Sequence, residues 1–342
     1  MTATTYRQIV LAARPTGEPT SANFELRQVP LPEPGEGQLL LRTIWLSLDP
    51  YMRGRMNAAK SYAPPVEVGA VMAGGTITEV MKSNNPKFKP GDILAGWIGW
   101  QEYAIADGRG MRKVDPAVAP ISTGVGVLGM PGMTAYVGMR NIGKPKAGET
   151  VVVAAASGAV GSLVGQIAKI EGCRAVGIAG GPEKCRHVVE DLGFDACVDH
   201  RSPTFAADLQ AACPQGIDVY FENVGGAVWA AVLPLLNPFA RVPVCGLIAN
   251  YNDAAPPAGP DMSAVMMRAI LTNRLTLRGF IVSDFQDQQK EFLEMVGGWL
   301  REGRVKYRED VVEGLEKAPE ALIGLLKGRN FGKLLVRVGQ DP

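Results

Sequence analysis

Histidine is nearly absent from this 342-residue chain, which has only His187 and His200. Cysteine is sparse too, five in all, with none before Cys173. A catalytic zinc takes three protein ligands, mostly His and Cys, and a structural zinc takes four. The first half of the chain can supply neither, so chemistry there is expected to run without zinc. Cys173, Cys185, Cys197, Cys213 and Cys245 are widely spaced, form no C-x-x-C and are odd in number. A disulfide framework is not expected, and a reducing, cytoplasmic setting fits better. Excess charge of either sign is also missing: 35 basic against 34 acidic side chains leave +1. A nucleic-acid binder would carry a basic stripe and a membrane-surface binder a polybasic segment, so neither partner is expected. Apolar runs such as Val151–Ala156 fall far short of the roughly 20 residues of a membrane span. The opening MTATTYRQIVLAARPTGEP lacks the charged-then-apolar order of a signal peptide.

The chain has the length of roughly two domains, and 46% hydrophobic with 20% charged residues is ordinary globular composition. Residues 1 to about 125 read as β-rich, with strands expected at Gln38–Ile44, Gly74–Met81 and Glu102–Ala106 between Gly/Pro turns. From Thr150 the pattern changes to alternation. Strands are expected at Thr150–Ala155, Ala175–Ala179, Ala196–Val198, Ile217–Phe221, Arg241–Cys245 and Leu275–Ile281. Helices are expected between them: Ala159–Gly172, Glu183–Leu192, Thr204–Cys213, Ala227–Leu236, Met262–Asn273 and Asp287–Arg301. Such alternation means an α/β, Rossmann-like, doubly wound parallel sheet. Near the end, a helix over Pro319–Lys327 precedes a strand over Gly332–Val338, which either extends that sheet or returns to the β-rich unit. The Pro-rich segments Tyr62–Val66 and Asp253–Pro260 read as ordered surface loops.

The sharpest motif runs from Ala155 to Gly161, A-x-x-G-x-x-G, between an expected strand and an expected helix. It is the dinucleotide fingerprint with alanine in place of the first glycine. Gly158, Ala159, Val160 and Gly161 would meet the pyrophosphate, with the helix N-terminus aimed at it. The second strand ends Ala179-Gly180-Gly181 with no acid at its tip, where an NAD enzyme usually has one. Lys184 and Arg186 supply positive charge for a 2′-phosphate, so the expected cofactor is NADP(H). Glu183 is the dissenting residue, and His200 with Arg201 would flank the adenine ribose. Three later segments lie at strand ends, where doubly wound sheets bind ligands. They are Glu222–Gly226, Cys245–Tyr251 (Cys245, Gly246, Leu247, Ile248, Ala249, Asn250, Tyr251) and Phe280-Ile281-Val282. Asn223 suits a cofactor contact or a helix cap equally.

These strings resemble one family: LSLDPYMRGRM (Leu46–Met56), VLGMPGMTAY (Val127–Tyr136), AAASGAVGSLVGQIAK (Ala154–Lys169), FENVGG (Phe221–Gly226), CGLIANYN (Cys245–Asn252), RGFIVSDF (Arg278–Phe285) and LKGRNFGK (Leu326–Lys333). They are similar to the zinc-independent medium-chain dehydrogenases/reductases, in the group of prostaglandin reductases, plant double-bond reductases and bacterial curcumin reductases. The SYAPPVEVG and AGGPEKCRH segments look nearest to the curcumin-reductase branch. The resemblance implies a GroES-like β-barrel catalytic domain over 1–125 and 306–342, with a Rossmann NADP-binding domain over 126–305. It implies NADPH-dependent reduction of the carbon–carbon double bond of α,β-unsaturated ketones and aldehydes, and a homodimer through the sheet edge near Leu275–Ile281. Carried over by motif, Asn330 joins the cofactor-lining residues. His200 stands where eukaryotic relatives have a tyrosine.

The implied chemistry needs a donor at the carbonyl oxygen where an enolate forms. Tyr251 is the expected donor, with Tyr62 a second candidate, and Tyr51, Tyr62 and Tyr251 are the expected substrate contacts. Arg53 reads as structural, in an ion pair between the domains, and Cys245 as packing rather than nucleophile. Two other readings remain: a quinone reductase of the same superfamily, which would not need Tyr251, and a non-enzymatic NADPH-binding protein.

Overall fold

The computed structural model describes residues 4–254 and 261–342. The expected loop Asp253–Pro260 therefore lies outside the described residues beyond Ala254. Along the chain run β1 (Thr5–Leu11), β2 (Phe24–Pro30), β3 (Leu39–Ser47), α1 (Tyr51–Arg55), β4 (Thr76–Ser83), β5 (Ile93–Gly96), β6 (Tyr103–Ala106) and β7 (Arg112–Lys113). Next come α2 (Met130–Val137), β8 (Thr150–Ala154), α3 (Gly161–Ile170), β9 (Arg174–Ala179), α4 (Pro182–Glu190), β10 (Ala196–Asp199), α5 (Phe205–Ala212), β11 (Ile217–Phe221), α6 (Gly226–Val232), β12 (Leu236–Val244), α7 (Ser263–Asn273), β13 (Thr276–Gly279) and α8 (Gln289–Arg301). The chain closes with β14 (Glu309–Glu313), α9 (Ala318–Leu326) and β15 (Lys333–Arg337). It divides into two compact units, Met1–Gly129 with Glu309–Pro342, and Met130–Arg308.

The first unit is built on β3, which is buried at eight of its nine positions. It pairs antiparallel with β4, β6 and β15. The last strand thus returns to the β-rich unit, and β14 adds to it in parallel. Leu46, Leu48, Met52, Met56, Trp100, Leu322 and Leu334 fill one core. The Tyr62–Val66 segment holds neither helix nor strand; Val66 is buried and Tyr62 exposed.

The second unit is a six-stranded sheet in the order β10-β9-β8-β11-β12-β13, parallel throughout. Thr150–Ala154 (TVVVA) is buried at every position, the continuous apolar run of a strand covered on both faces. The strand order reverses between β8 and β11, so their carboxyl ends flank the crevice where such sheets take ligands. Gly165, inside α3, gives its space to Phe194, whose Cζ would lie 1.8 Å from a Cβ there.

Several expected bounds move. The helix expected over Ala227–Leu236 stops at Val232, one tight turn follows, and Leu236 already belongs to β12. That strand was expected only from Arg241. Its first half is irregular: Phe239 takes φ +66, and the pairing with β11 shifts register between Ile217 and Val219. Strands β1, β2, β5, β7 and β14 lie outside the expected strands. Among the described residues no helix is long and apolar enough to cross a membrane.

Candidate active site

At the end of β8 the chain turns at once. Ala155 sits at φ +54, the left-handed region that crowds a Cβ against the following carbonyl. Alanine here takes the conformation of the glycine it replaces. Gly158 N–H closes the turn on Ala155 O at 2.9 Å. Gly161 opens α3, two residues later than expected, and a Cβ there would lie 2.3 Å from Ala155 O and 2.9 Å from Ala156 Cα. Only glycine fits. Ala159 and Val160 lie in the approach to the helix, and Val160 O accepts from Leu163 and Val164 N–H at 3.1 Å. The first N–H groups of a helix lack intrahelical acceptors. With the helix dipole they suit a diphosphate.

The end of β9 is equally close-packed. A Cβ on Gly180 would lie 2.9 Å from His200 Nε2 and 3.1 Å from Arg201 Nε. Asp199 fixes this approach: its Oδ1 accepts from Gly181 N–H and Arg201 N–H, each at 2.9 Å. Burial opposes the charge on Asp199, yet these backbone donors win and hold its carboxyl below the usual range. Burial first, then the positive charges of Arg201 and Lys184, push the His200 imidazole below its ordinary value, although one edge stays exposed. Lys184 is half-buried in the first turn of α4, while Glu183 and Arg186 are exposed. Two cations around a neutral imidazole suit a phosphate monoester. Beneath them, Cys197 faces α4 across Gly177, and its thiol hydrogen-bonds that of Cys185.

Two loops meet beyond β11 and β12. Asn223 does not cap a helix; its Nδ2 donates to Ala154 O at 2.8 Å, tying the β11 loop to the end of β8. Cys245 and Gly246 N–H donate to Glu222 O at 2.9 and 3.2 Å. Ile248 N–H donates to Asn223 O at 3.2 Å and Ala249 N–H to Val224 O at 3.0 Å. Asn250 Oδ1 and Leu247 Cδ2 would each lie 3.1 Å from a Cβ on Gly225. At the tip, Leu247 N–H donates to the Tyr251 hydroxyl at 3.4 Å. Burial pushes the Cys245 thiol up to about 12, which disqualifies it as a nucleophile at neutral pH. Phe280 packs edge-on to Phe221 with ring centres 6.1 Å apart, and Ile281 and Val282 lead into a tight turn.

The remaining expected residues belong to the first unit. Tyr51 starts α1 and its hydroxyl is buried without a hydrogen-bond partner. Tyr62 is 62% exposed. Asn330 Nδ2 donates to Gly332 O at 2.8 Å and shapes the turn into β15. Arg53 is buried and donates to Asn57 Oδ1 and Gly17 O, both at 2.6 Å, so it ties α1 to neighbouring loops of its own unit.

Glu222, expected only as the first residue of a cofactor-lining segment, has a structural part of its own. Its Oε1 accepts from Tyr220 Oη at 3.0 Å, Val224 N–H at 2.6 Å and Gly225 N–H at 2.9 Å. Burial raises its carboxyl in spite of these donors. With its backbone oxygen serving the other loop, this one residue joins both. The only sequence signal is a lone acid ending an apolar strand. Among the described residues no three His, Cys, Asp or Glu side chains are grouped to hold a metal.

Residues 7–114 match the family described as the N-terminal domain of oxidoreductase, and residues 159–297 match the family described as zinc-binding dehydrogenase. The NADPH-dependent curcumin reductase of Escherichia coli (strain K12) is 53% identical over 336 residues, covering 98% of this chain and 97% of that one. The 2-alkenal reductase (NADP(+)-dependent) of Nicotiana tabacum is 40% identical over 98% of each chain. The crystal structure of CurA in complex with NADPH from Vibrio vulnificus superposes with TM-score 0.95 at 52% identity, covering 98% of this chain and 100% of that one. This chain therefore belongs to the zinc-independent medium-chain dehydrogenases/reductases, in the group that holds the curcumin, alkenal and prostaglandin reductases.

Proposed function

We propose that this protein is an NADPH-dependent reductase of the carbon–carbon double bond in α,β-unsaturated ketones and aldehydes. The 53% identity to a curcumin reductase supports the reaction class. The tight Ala155–Gly161 turn and the Lys184–His200–Arg201 pocket fit a dinucleotide with a 2′-phosphate. In this reading Gly158 to Gly161 hold the pyrophosphate and Lys184 and His200 the phosphorylated ribose. Asn223, Cys245–Tyr251, Phe280–Val282 and Asn330 hold the nicotinamide half, and Tyr51 and Tyr62 contact substrate.

When bound, the cofactor supplies a hydride to the β-carbon. The protein's part is at the oxygen. As the new C–H bond forms, the double-bond electrons move to the carbonyl oxygen, and the Tyr251 hydroxyl donates a hydrogen bond to that enolate. A donor of this kind is worth about 10²–10³ in rate. The observation that carries the role is the Leu247 N–H donating to the Tyr251 oxygen at 3.4 Å. A donor on the phenol oxygen aims the ring and strengthens the hydroxyl as a donor in turn. The enolate closes when its α-carbon takes a proton, so substrate gains one hydride and one proton.

The test follows NADPH oxidation with a linear enone, an enal, curcumin and a quinone, in wild type and Tyr251→Phe. Robust enone turnover, with kcat down about 10²-fold in the variant and NADPH binding retained, is the expected result. Faster quinone reduction, or a variant as active on enones as wild type, would replace this reading with the quinone reductase.

We also propose a homodimer through the free edge of the six-stranded sheet. β13 ends that sheet, and α7 buries none of its residues, leaving Val265, Met267 and Leu271 50, 61 and 77% exposed. A patch of this kind on a helix beside an open strand edge suits a second copy. Light scattering should give twice the 36.4 kDa chain mass, and Leu271→Glu should halve it.

A further inference from the structure

Two of the five thiols meet on one face of the six-stranded sheet. Cys197 lies in β10 opposite Gly177 of β9, and α4 packs over both strands. A Cβ on Gly177 would lie 3.2 Å from Cys197 Sγ and 2.8 Å from Val188 Cγ1 of α4. The missing side chain leaves a gap through which the Cys197 sulfur reaches the helix. There it hydrogen-bonds the thiol of Cys185. Neither sulfur fills the core: both residues are half-buried, whereas Cys173 and Cys213 are buried. A partly exposed, acidified thiol beside a second thiol is the arrangement of a redox-sensing pair.

The pair is also tied to the nucleotide end of the sheet. Cys185 directly follows Lys184, and its N–H closes on Gly181 O at 3.2 Å. Cys197 stands two residues before Asp199, whose Oδ1 accepts from Gly181 N–H and Arg201 N–H. A bond between the two sulfurs is shorter than a hydrogen bond between thiols. Closing it draws the start of α4 onto β10 and carries Lys184 with it.

We propose that Cys185 and Cys197 are a redox modification site: hydrogen peroxide joins them in a reversible disulfide, which loosens the hold of Lys184 on the 2′-phosphate of NADPH. The Cys185 thiolate attacks one peroxide oxygen. The S–O bond forms as the O–O bond breaks, and the departing hydroxide takes the proton that Cys185 gave up and leaves as water. The Cys197 sulfur then attacks the Cys185 sulfenic acid. The S–S bond forms, and the hydroxyl leaves with the Cys197 proton as a second water. Two thiols have lost two electrons and two protons, and the peroxide has gained them. A dithiol reverses the change by exchange. The inference rests on the reading of Lys184 as the 2′-phosphate contact and on nothing at the substrate end.

The test treats the protein with a few equivalents of hydrogen peroxide and reads the bond by mass spectrometry of its peptides. Affinity is read with 2′,5′-ADP, which carries the 2′-phosphate and no hydride. A Cys185–Cys197 cross-linked peptide should appear and vanish with dithiothreitol. The oxidised form should bind 2′,5′-ADP about tenfold more weakly, while 5′-AMP should change little. Such coupling is reciprocal. Saturating 2′,5′-ADP should therefore make the reduction potential of the pair about 30 mV more positive, the same tenfold converted for two electrons. Cys197→Ser should form no disulfide, leave Cys185 as a sulfenic acid that dimedone traps, and bind 2′,5′-ADP like the reduced wild type. Peroxide that leaves the two thiols unjoined, or a disulfide form that binds 2′,5′-ADP as tightly as the dithiol form, overturns the proposal. Reduced protein that binds 2′,5′-ADP no better than 5′-AMP removes the 2′-phosphate reading, and the coupling with it, but not the disulfide.

Discussion

Gly246 and Tyr251 share one space: a Cβ on Gly246 would lie 2.9 Å from the Tyr251 hydroxyl. The glycine is not in a left-handed conformation, so alanine suits its backbone, and the phenol is the part that must yield. Gly246→Ala is therefore expected to fold normally and to displace the hydroxyl. A shift of about 1 Å in a catalytic group costs up to roughly 10² in rate. The check is steady-state kinetics beside a thermal melt: kcat should drop at least tenfold with Tm nearly unchanged. A variant with wild-type kcat would mean that the hydroxyl does not act where it now points.

The pyrophosphate turn yields two opposite outcomes. Ala155 holds φ +54, which costs a non-glycine residue about 1–2 kcal/mol. Glycine removes that cost but adds about 0.4–1 kcal/mol of chain entropy to the unfolded state. Ala155→Gly should thus raise stability by up to about 1 kcal/mol and leave NADPH binding intact. Gly161→Ala drives a methyl to 2.3 Å from Ala155 O. It should destabilise by about 1–3 kcal/mol and abolish NADPH binding. Chemical denaturation and cofactor titration on both variants read the two effects.

That turn was readable from sequence because two signals coincide there, a strand buried on both faces and glycines at fixed steps into a helix. Other parts carry no such signal. β1 is buried only over its last three residues and β2 at none, so neither shows an alternating buried face, and β14 has two apolar residues between acids. In Asn237-Pro238-Phe239 the turn-like residues belong to the irregular first half of β12, because Phe239 adopts φ +66. Glu222 joins the two site loops through contacts that reach 24 residues along the chain to Gly246, and no local spacing encodes them. Trp97 and Trp100 stand three residues apart in the same string. One is 58% exposed and the other fully buried, a difference that only the fold decides.

His200 should couple cofactor binding to pH. Its pKa in the free protein is depressed by burial and by Arg201 and Lys184. The unfolded chain then takes up a proton, near an ordinary value of about 6.5, that the folded chain resists. The stability of the apo protein should accordingly fall as pH drops through that value. A bound 2′-phosphate reverses the sign, since its negative charge raises the imidazole pKa. NADPH binding should take up a proton at His200 and tighten as pH falls from about 8 to about 6. Calorimetry in buffers of different ionisation enthalpy measures that proton. It should disappear in His200→Gln and be absent for NADH, and Lys184→Ala should weaken NADPH about tenfold or more.

The five thiols are not equally reactive. Burial pushes Cys173 and Cys213 up to about 11 and Cys245 up to about 12. Cys197 is raised by its bond to Cys185, whereas Cys185 is lowered by that same bond. The thiolate is the species that reacts, and Cys185 is partly exposed in α4, next to Lys184. Iodoacetamide near neutral pH should therefore label Cys185 first, and Cys185→Ser should remove the fast phase. Cys197→Ala takes away the hydrogen bond and should move the pH midpoint of labelling upward. NADPH should slow the reaction several-fold, because a phosphate on Lys184 covers the adjacent turn of the helix and adds negative charge that opposes the thiolate. Mass spectrometry of the labelled peptides reads all three, and a first label on Cys245 or Cys213 would contradict the order of burial.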